Sequence, residues 1–217
     1  MIAVAVAGAA GKVGQAICAA VEAADDLSLS GRADPALDVA LEDVLSDADV
    51  VVDFTRPDQA LANARACLGA GVHVVIGTTG WDVGALRADA DASAANAFIA
   101  PNFAIGAVLM MRFAVEASRH MAHAEIVEAH HPAKVDAPSG TAARTAELMA
   151  GEVPIHSIRL TGVVADQAVI LGDVGQTLTL EHRTTDRSSF APGVLLAVRR
   201  VGSLPDGLTV GLDALLA

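Results

Sequence analysis

Lysine is almost missing from this chain: among 217 residues, 14 are lysine or arginine, and only Lys12 and Lys134 are lysines. Cations as a class are outnumbered by 26 acidic residues, for a formal net charge of −12. Binding nucleic acid or an anionic membrane surface needs a basic patch that neutralises phosphates. Neither is therefore an expected partner. The two cysteines, Cys18 and Cys67, form no Cys-x-x-Cys pair. They are expected to be free, core-packed thiols in a cytoplasmic protein. No apolar run approaches the roughly 20 uninterrupted residues of a membrane span. The apolar opening MIAVAVAGAA lacks a basic leader and runs into glycines, so it reads as a buried strand rather than a secretory signal. Charged residues are only 18% against 53% apolar, which excludes a disordered or solvating chain.

Through the first hundred residues, short β-rich runs alternate with alanine-rich stretches. The runs are IAVAVAG (2–8), LSLSG (27–31), VVVDF (50–54), VHVVIG (72–77) and AFIAP (97–101). Continuous apolar strands separated by helical segments imply a parallel sheet covered on both faces. The expected fold is thus α/β, with a doubly wound parallel-sheet domain over 1–104. After Asn102 the pattern changes to a helix near 105–121, a strand near 124–130, a helix at 141–150 and short alternating strands. These predict a second, α+β domain over 105–187 with an antiparallel or mixed sheet. Residues 188–217 read as a helix and a short strand, LTVGL, returning to the first domain. No internal repeat or low-complexity linker interrupts the chain.

The first strand ends in Gly8-Ala9-Ala10-Gly11-Lys12-Val13-Gly14, directly before an apolar helix. Glycines permit a tight turn and close approach of a pyrophosphate, whose charge the N–H groups and dipole of the next helix bind. A tight strand-to-helix turn without ligand is the alternative, since glycine triplets alone are weak signals. Asp34, about 20 residues on at the end of the second strand, is placed to bond adenosine ribose hydroxyls. Standing before Pro35, it also serves simply as a turn residue. Lys12 and Arg32 offer cations for a 2′-phosphate, so NADH, NADPH or both are permitted. A second glycine turn, Gly77-Thr78-Thr79-Gly80, ends another strand where it can line the nicotinamide, or be an ordinary polar loop with Asp82 starting the next helix. Ala100-Pro101-Asn102-Phe103 stands where the pattern changes, as hinge and cofactor contact.

The stretch His130-His131-Pro132-Ala133-Lys134 leads through Asp136 to Ser139-Gly140-Thr141 and a helix. Histidine titrates near neutrality, so His130 can deliver a proton, while Lys134 can hold a carboxylate or share in protonation. The Gly140 and Thr141 N–H groups can bind a second carboxylate at the helix start. Together these suit a small di-anionic substrate. Both lysines fall inside the two candidate motifs, and lysine, unlike arginine, is a compact charge whose proton can be given up. Two alternatives stand beside this: polar loop histidines without function, and a metal site drawn from His123, Glu125, Glu128, His130, His131 and Asp136. The absence of a His-Glu-x-x-His motif or cysteine pair speaks against metal, as does strand alternation, which turns His130 and His131 to opposite faces unless the strand ends there.

Taken together, GAAGKVG (8–14), VVDFT (51–55), GTTG (77–80), APNFAIG (100–106), EAHHPAKVDAPSGTA (128–142) and HRTTDRSSFAPGVLLAVR (182–199) resemble the dihydrodipicolinate reductase family, which acts in diaminopimelate and lysine synthesis. The resemblance spans nearly the whole chain in the family's order. It implies a Rossmann-like domain, a substrate and oligomerisation domain, hydride transfer from NADH or NADPH, and a homotetramer. It also implies His130 as proton donor, Lys134 as a second donor, and His131 with the Gly140 and Thr141 amides as carboxylate ligands. Gly8, Ala9, Ala10, Gly11, Lys12, Val13, Asp34, Gly77, Thr78, Thr79, Ala100, Pro101, Asn102 and Phe103 would hold the cofactor, and no metal is implied. The chain departs from the family at Ala133, where relatives often carry histidine, at Ala10 and Arg32, and in a short segment between Met149 and Ile155.

The mechanism so implied delivers hydride to C4 of a cyclic unsaturated dicarboxylate while His130 protonates the neighbouring carbon. A related dehydrogenase acting on an amino or oxo acid fits the glycine turn equally but fits HHPAK and SGT poorly. A non-catalytic dinucleotide sensor would bind cofactor without oxidising it.

Overall fold

A computed structural model describes residues 1–216; Ala217, the last residue of the expected returning segment, lies outside the described residues. Two compact units emerge, one from Met1–Phe103 with the segment from Phe190 onward, the other Ala104–Ser189.

In the first unit, β1 (Ile2–Ala7), β2 (Leu27–Ala33), β3 (Val50–Asp53), β4 (His73–Ile76) and β5 (Ala97–Ile99) alternate with α1 (Lys12–Glu22), α2 (Glu42–Leu45), α3 (Pro57–Gly69) and α4 (Arg87–Ala92). All pairings are parallel. The strand order, including the late β10 (Leu208–Val210), is β10-β5-β4-β3-β1-β2, the doubly wound parallel sheet expected from the alternation. Every residue of β3 is buried, as a strand with helices on both faces requires. The order reverses between β1 and β3, and ligands of open α/β sheets bind outside the strand ends at such a point.

The returning segment is anchored by α7 (Ala191–Arg200). Val194, Ala197, Val198 and Val201 are buried at intervals of three and four, one apolar stripe of an amphipathic helix. A Cβ on Gly193 would sit 2.1 Å from the Phe103 carbonyl oxygen, so only glycine lets α7 lie this close. The strand β10 then pairs with β5, and Asn96 beside β5 donates to the carbonyls of Val201 and Leu204.

The second unit holds α5 (Ile105–Ala117), β6 (His123–His130), α6 (Gly140–Leu148), β7 (Ile155–Arg159), β8 (Ala165–Asp173) and β9 (Gln176–Thr184). Its sheet runs β7-β6-β8-β9, with β6 and β7 parallel and the other pairs antiparallel. The mixed sheet has one covered face. Ile126, Val169 and Leu171 pack there with Met110 and Ala114 of α5 and Ala142 of α6. The ring of His182 on β9 also lies against α5, where a Cβ on Gly106 would meet it at 2.7 Å. Among the described residues no helix is long and apolar enough to cross a membrane.

Candidate active site

The glycine turn has the geometry its sequence demands. Gly8 takes φ +78°, and a Cβ there would lie 2.6 Å from the Phe54 carbonyl oxygen. Gly14 packs its α-carbon against the turn, where a Cβ would fall 2.1 Å from the Gly8 carbonyl oxygen. Gly8 and Ala9 donate to the carbonyl of Ala33, and Gly11 donates back to Gly8. Gly11 is the N-cap of α1 and offers no side chain to its first N–H groups. Such groups have no partner within a helix and carry its positive dipole end. Lys12 is exposed as the first residue of α1, and Val13 follows it. Asp34 accepts from the N–H of Ala10 at 3.0 Å and, as a cap, from Ala36 at 2.9 Å.

A cavity of about 850 Å³ opens at the switch point, lined among others by Gly8, Gly11, Asp34, Glu42, Arg56 and Asn63. This size suits a nucleotide portion of a cofactor. The turn that a Cβ would fill, the helix start and the carboxylate at the end of β2 all fit a dinucleotide. Arg32 does not line this cavity; its guanidinium pairs with Glu22 at 2.7 Å.

The next strand ends carry a feature that sequence reasoning missed. Asp53, fully buried at the end of β3, accepts from the N–H and hydroxyl of Thr55 at 2.8 and 2.7 Å, from Asn63 at 2.8 Å and from the Thr78 hydroxyl at 3.1 Å. It therefore ties α3 and the Gly77-Thr78-Thr79 loop to the sheet. Gly77 donates to the Asp53 carbonyl, and a Cβ on it would strike the Phe54 ring at 2.1 Å. Ala100 donates to the carbonyl of Ile76, placing the start of Ala100-Pro101-Asn102-Phe103 beside that loop. Phe103 is buried against Phe54 and Phe98.

In the second unit, β6 ends at His130. His131 lies beyond the strand, so alternation does not fix its direction. Nδ1 of His130 lies 2.5 Å from Oε2 of Glu128, a fully buried carboxylate two residues back on the same face. Arg159 of β7 grips both oxygens of Glu128 at 3.0 Å and donates to the Asp136 carbonyl at 2.6 Å. The N–H of Ser139 donates to the remaining side of Glu128 at 3.3 Å. Burial alone pushes the Glu128 carboxyl up, but hydrogen bonds from Arg159, Ser157 and His130 outweigh it and hold it at about 2. It is an anion at neutral pH. Its oxygens are committed to Arg159, Ser157, Ser139 and His130, and no cluster of three or more metal-ligating side chains occurs among the described residues.

The start of α6 is built into the same corner. Ser139 caps it, accepting from Ala142 at 3.2 Å, and Gly140 and Thr141 form its first turn. Thr145 donates to the Thr141 carbonyl and accepts from Gln167 of β8, which stands opposite Glu128 in the β6–β8 register. Lys134 donates to both oxygens of Asp136 at 2.9 and 2.8 Å. Its own N–H closes a turn onto the carbonyl of His131. An imidazole, an ammonium and a helix start thus share one loop, an arrangement that can deliver a proton and bind carboxylates.

Residues 2–103 match the family model described as dihydrodipicolinate reductase, N-terminus, and residues 106–216 match its C-terminus counterpart. The chain belongs to the dihydrodipicolinate reductase family. A 4-hydroxy-tetrahydrodipicolinate reductase of Nocardia farcinica is 49% identical over 250 residues, covering 99% of this chain and 98% of that relative. One from Mycolicibacterium smegmatis is 46% identical over 242 residues, with 98% of each covered. The dipicolinate-bound dihydrodipicolinate reductase of Paenisporosarcina sp. TG-14 superposes with a TM-score of 0.85 at 33% identity, covering 99% of each chain. Both sequence alignments are longer than the 217 residues of this family member, so those relatives carry segments it lacks. Here α6 and β7 are joined by residues 149–154 alone.

The sequence does not single out Glu128, Arg159, Asp53 or Arg56 as functional, beyond offering Glu128 as a metal ligand. The family motif EAHH does contain Glu128, and a glutamate two residues before a strand-end histidine shares its face. That was the available signal. Arg159 lies 31 residues from Glu128 and carried none.

Proposed function

We infer that this chain reduces 4-hydroxy-tetrahydrodipicolinate to tetrahydrodipicolinate in the diaminopimelate route to lysine, as an oxidoreductase with a dinucleotide-binding first unit and a substrate-binding second unit. The observation that carries this is His130, held by a buried carboxylate at the end of β6 and sharing one loop with Lys134 and the start of α6, in a member of this family.

NADH is the preferred coenzyme. Gly8, Ala9, Ala10, Gly11, Lys12 and Val13 receive its pyrophosphate on backbone N–H groups, and Asp34 receives the adenosine ribose hydroxyls. Asp34 and Glu42 both line the cavity, and a 2′-phosphate would meet their negative charge, while Arg56, which also lines it, is paired with Asp58 at 2.8 Å. Arg32, the cation nearest in sequence, is paired with Glu22. Gly77, Thr78, Thr79, Ala100, Pro101, Asn102 and Phe103 line the nicotinamide end, supported by Asp53. The bound nicotinamide supplies the hydride.

His130 donates the proton to the substrate carbon next to the one reduced. Lys134 exchanges Asp136 for a substrate carboxylate and serves as a second donor. His131 and the Gly140 and Thr141 N–H groups bind the other carboxylate. Orientation and charge are what these residues contribute, since the reducing chemistry belongs to the cofactor.

The protein works in the cytoplasm as a homotetramer. Support comes from the sheet of the second unit: Val127, Ala129, Ile158, Ala168 and Ile170 alternate with the core residues and turn away from α5 and α6, with Ile158 44% and Ile170 38% exposed. This apolar strip, flanked on the same face by the Glu125–His156 and Glu181–Arg183 ion pairs, fits the core and polar rim of a subunit contact.

The test is NADH oxidation with substrate generated in situ by the preceding synthase, and no turnover by the intact protein would sink the proposal. His130→Gln is expected to lower kcat on the order of 100-fold with little change in KM. Thr141→Val is expected mainly to raise KM. Light scattering at assay concentration reads the oligomer.

A further inference from the structure

We propose that Glu128 and Arg159 are positioning residues for His130: the carboxylate keeps a proton on Nδ1, so that Nε2 is the nitrogen that gives the proton to substrate, and the guanidinium keeps the carboxylate in place. This rests on the assignment of His130 as proton donor.

Three observations carry it. The contact is short, 2.5 Å between Nδ1 and Oε2. It is also sheltered, because Glu128 is fully buried and the His130 side chain is only 16% exposed. An ionised carboxylate can only accept, so the imidazole nitrogen facing it must be the one that carries hydrogen. Finally, the acceptor is itself fixed. Arg159 approaches through two nitrogens, a planar fork that sets orientation as well as charge. The parallel register places His130 beside Arg159 and Glu128 beside Ser157, so the carboxylate is supplied by one strand and its clamp by the neighbour.

The same guanidinium donates to the Asp136 carbonyl, and Asp136 holds the Lys134 ammonium. Arg159 thereby joins the histidine and the loop of the lysine into one rigid corner. In the reaction, the imidazolium breaks its Nε2–H bond and a C–H bond forms at the substrate carbon beside the one that receives hydride from the coenzyme. The imidazole left behind retains Nδ1–H against Glu128 and regains its Nε2 proton from water.

Glutamine cannot replace Glu128. Whichever way the amide faces, its NH₂ meets one nitrogen of Arg159, donor against donor. Facing His130, it would donate to Nδ1 and impose the opposite tautomer. Glu128→Gln is therefore expected to lower kcat on the order of 100-fold or more, with KM changing less than about threefold.

The experiment is ¹⁵N NMR of histidine-labelled protein above the titration of the imidazoles, with the His130 signals identified by their loss in His130→Gln. In the unmodified protein His130 is expected as the Nδ1–H tautomer, and in Glu128→Gln as Nε2–H with the kinetic split above. Arg159→Lys keeps a cation beside the carboxylate and is expected to retain the Nδ1–H tautomer while losing part of kcat. An Nε2–H tautomer in the unmodified protein overturns the proposal, even if no Glu128 variant folds. So does a folded Glu128→Gln enzyme with unchanged kcat. A His130→Gln enzyme with full kcat would instead overturn the donor assignment, whatever tautomer is seen.

Discussion

One carboxylate oxygen of Asp34 accepts the N–H of Ala10 at 3.0 Å, while the other accepts that of Ala36 at 2.9 Å. The end of β2 is thereby latched to the glycine turn after β1, and the charge of Asp34 is held at the rim of the cavity. Asp34→Ala removes a cap and a cross-link. It is expected to cost roughly 1–2 kcal/mol of stability and to lower the ratio of kcat/KM with NADH to kcat/KM with NADPH. An unchanged ratio would remove Asp34 from coenzyme selection.

The Gly8–Gly14 contact makes a sharper test of the turn. Gly14→Ala forces a methyl group into the Gly8 carbonyl and is expected to destabilise by about 1–3 kcal/mol, with a rise in the NADH dissociation constant. Gly69→Ala is the control, because a Cβ there meets nothing within 4 Å. Fluorescence titration with NADH should separate the two.

Cys67 is fully buried on α3, and burial, aided by the nearby Asp53 charge, pushes its thiol up to about 12. The thiolate is the reactive form. Cys67 is expected to resist a thiol reagent at neutral pH until denaturant is added; rapid labelling of the native protein would contradict the burial.

Glu128 links stability to acid pH. Its carboxyl is lowered from 4.5 to about 2 on folding. A lowered folded value stabilises above the unfolded one, and that stabilisation fades as pH falls through the folded one. The shift corresponds to about 3 kcal/mol at neutral pH. The Tm gap between the unmodified protein and Glu128→Gln should therefore narrow as pH drops from about 4.5 towards about 2. A gap independent of pH would mean that the ionisation contributes nothing.

By itself the sequence determined whatever depends on neighbours along the chain. Apolar runs such as VVVDF became buried parallel strands, GAAGKVG became the turn that only glycine allows, and Ser139-Gly140-Thr141 became a capped helix start. Backbone geometry, periodicity and capping act over a few residues. The same locality made His130 and Lys134 visible as chemistry-bearing residues before any contact was known.

Only the tertiary structure decided which distant groups meet. Arg32, close in sequence to Asp34, turned out to serve Glu22, whereas Arg56 lines the cavity. Asp53 looked like a strand end and proved to be the buried hub of Thr55, Asn63 and Thr78. Lys134 is engaged by Asp136. Above all, the partners of His130 depend on β7 lying parallel to β6 in one register, since a slip of one residue would turn Arg159 to the opposite face. That register is set by packing of the whole sheet against α5 and α6, and no short stretch of sequence encodes it.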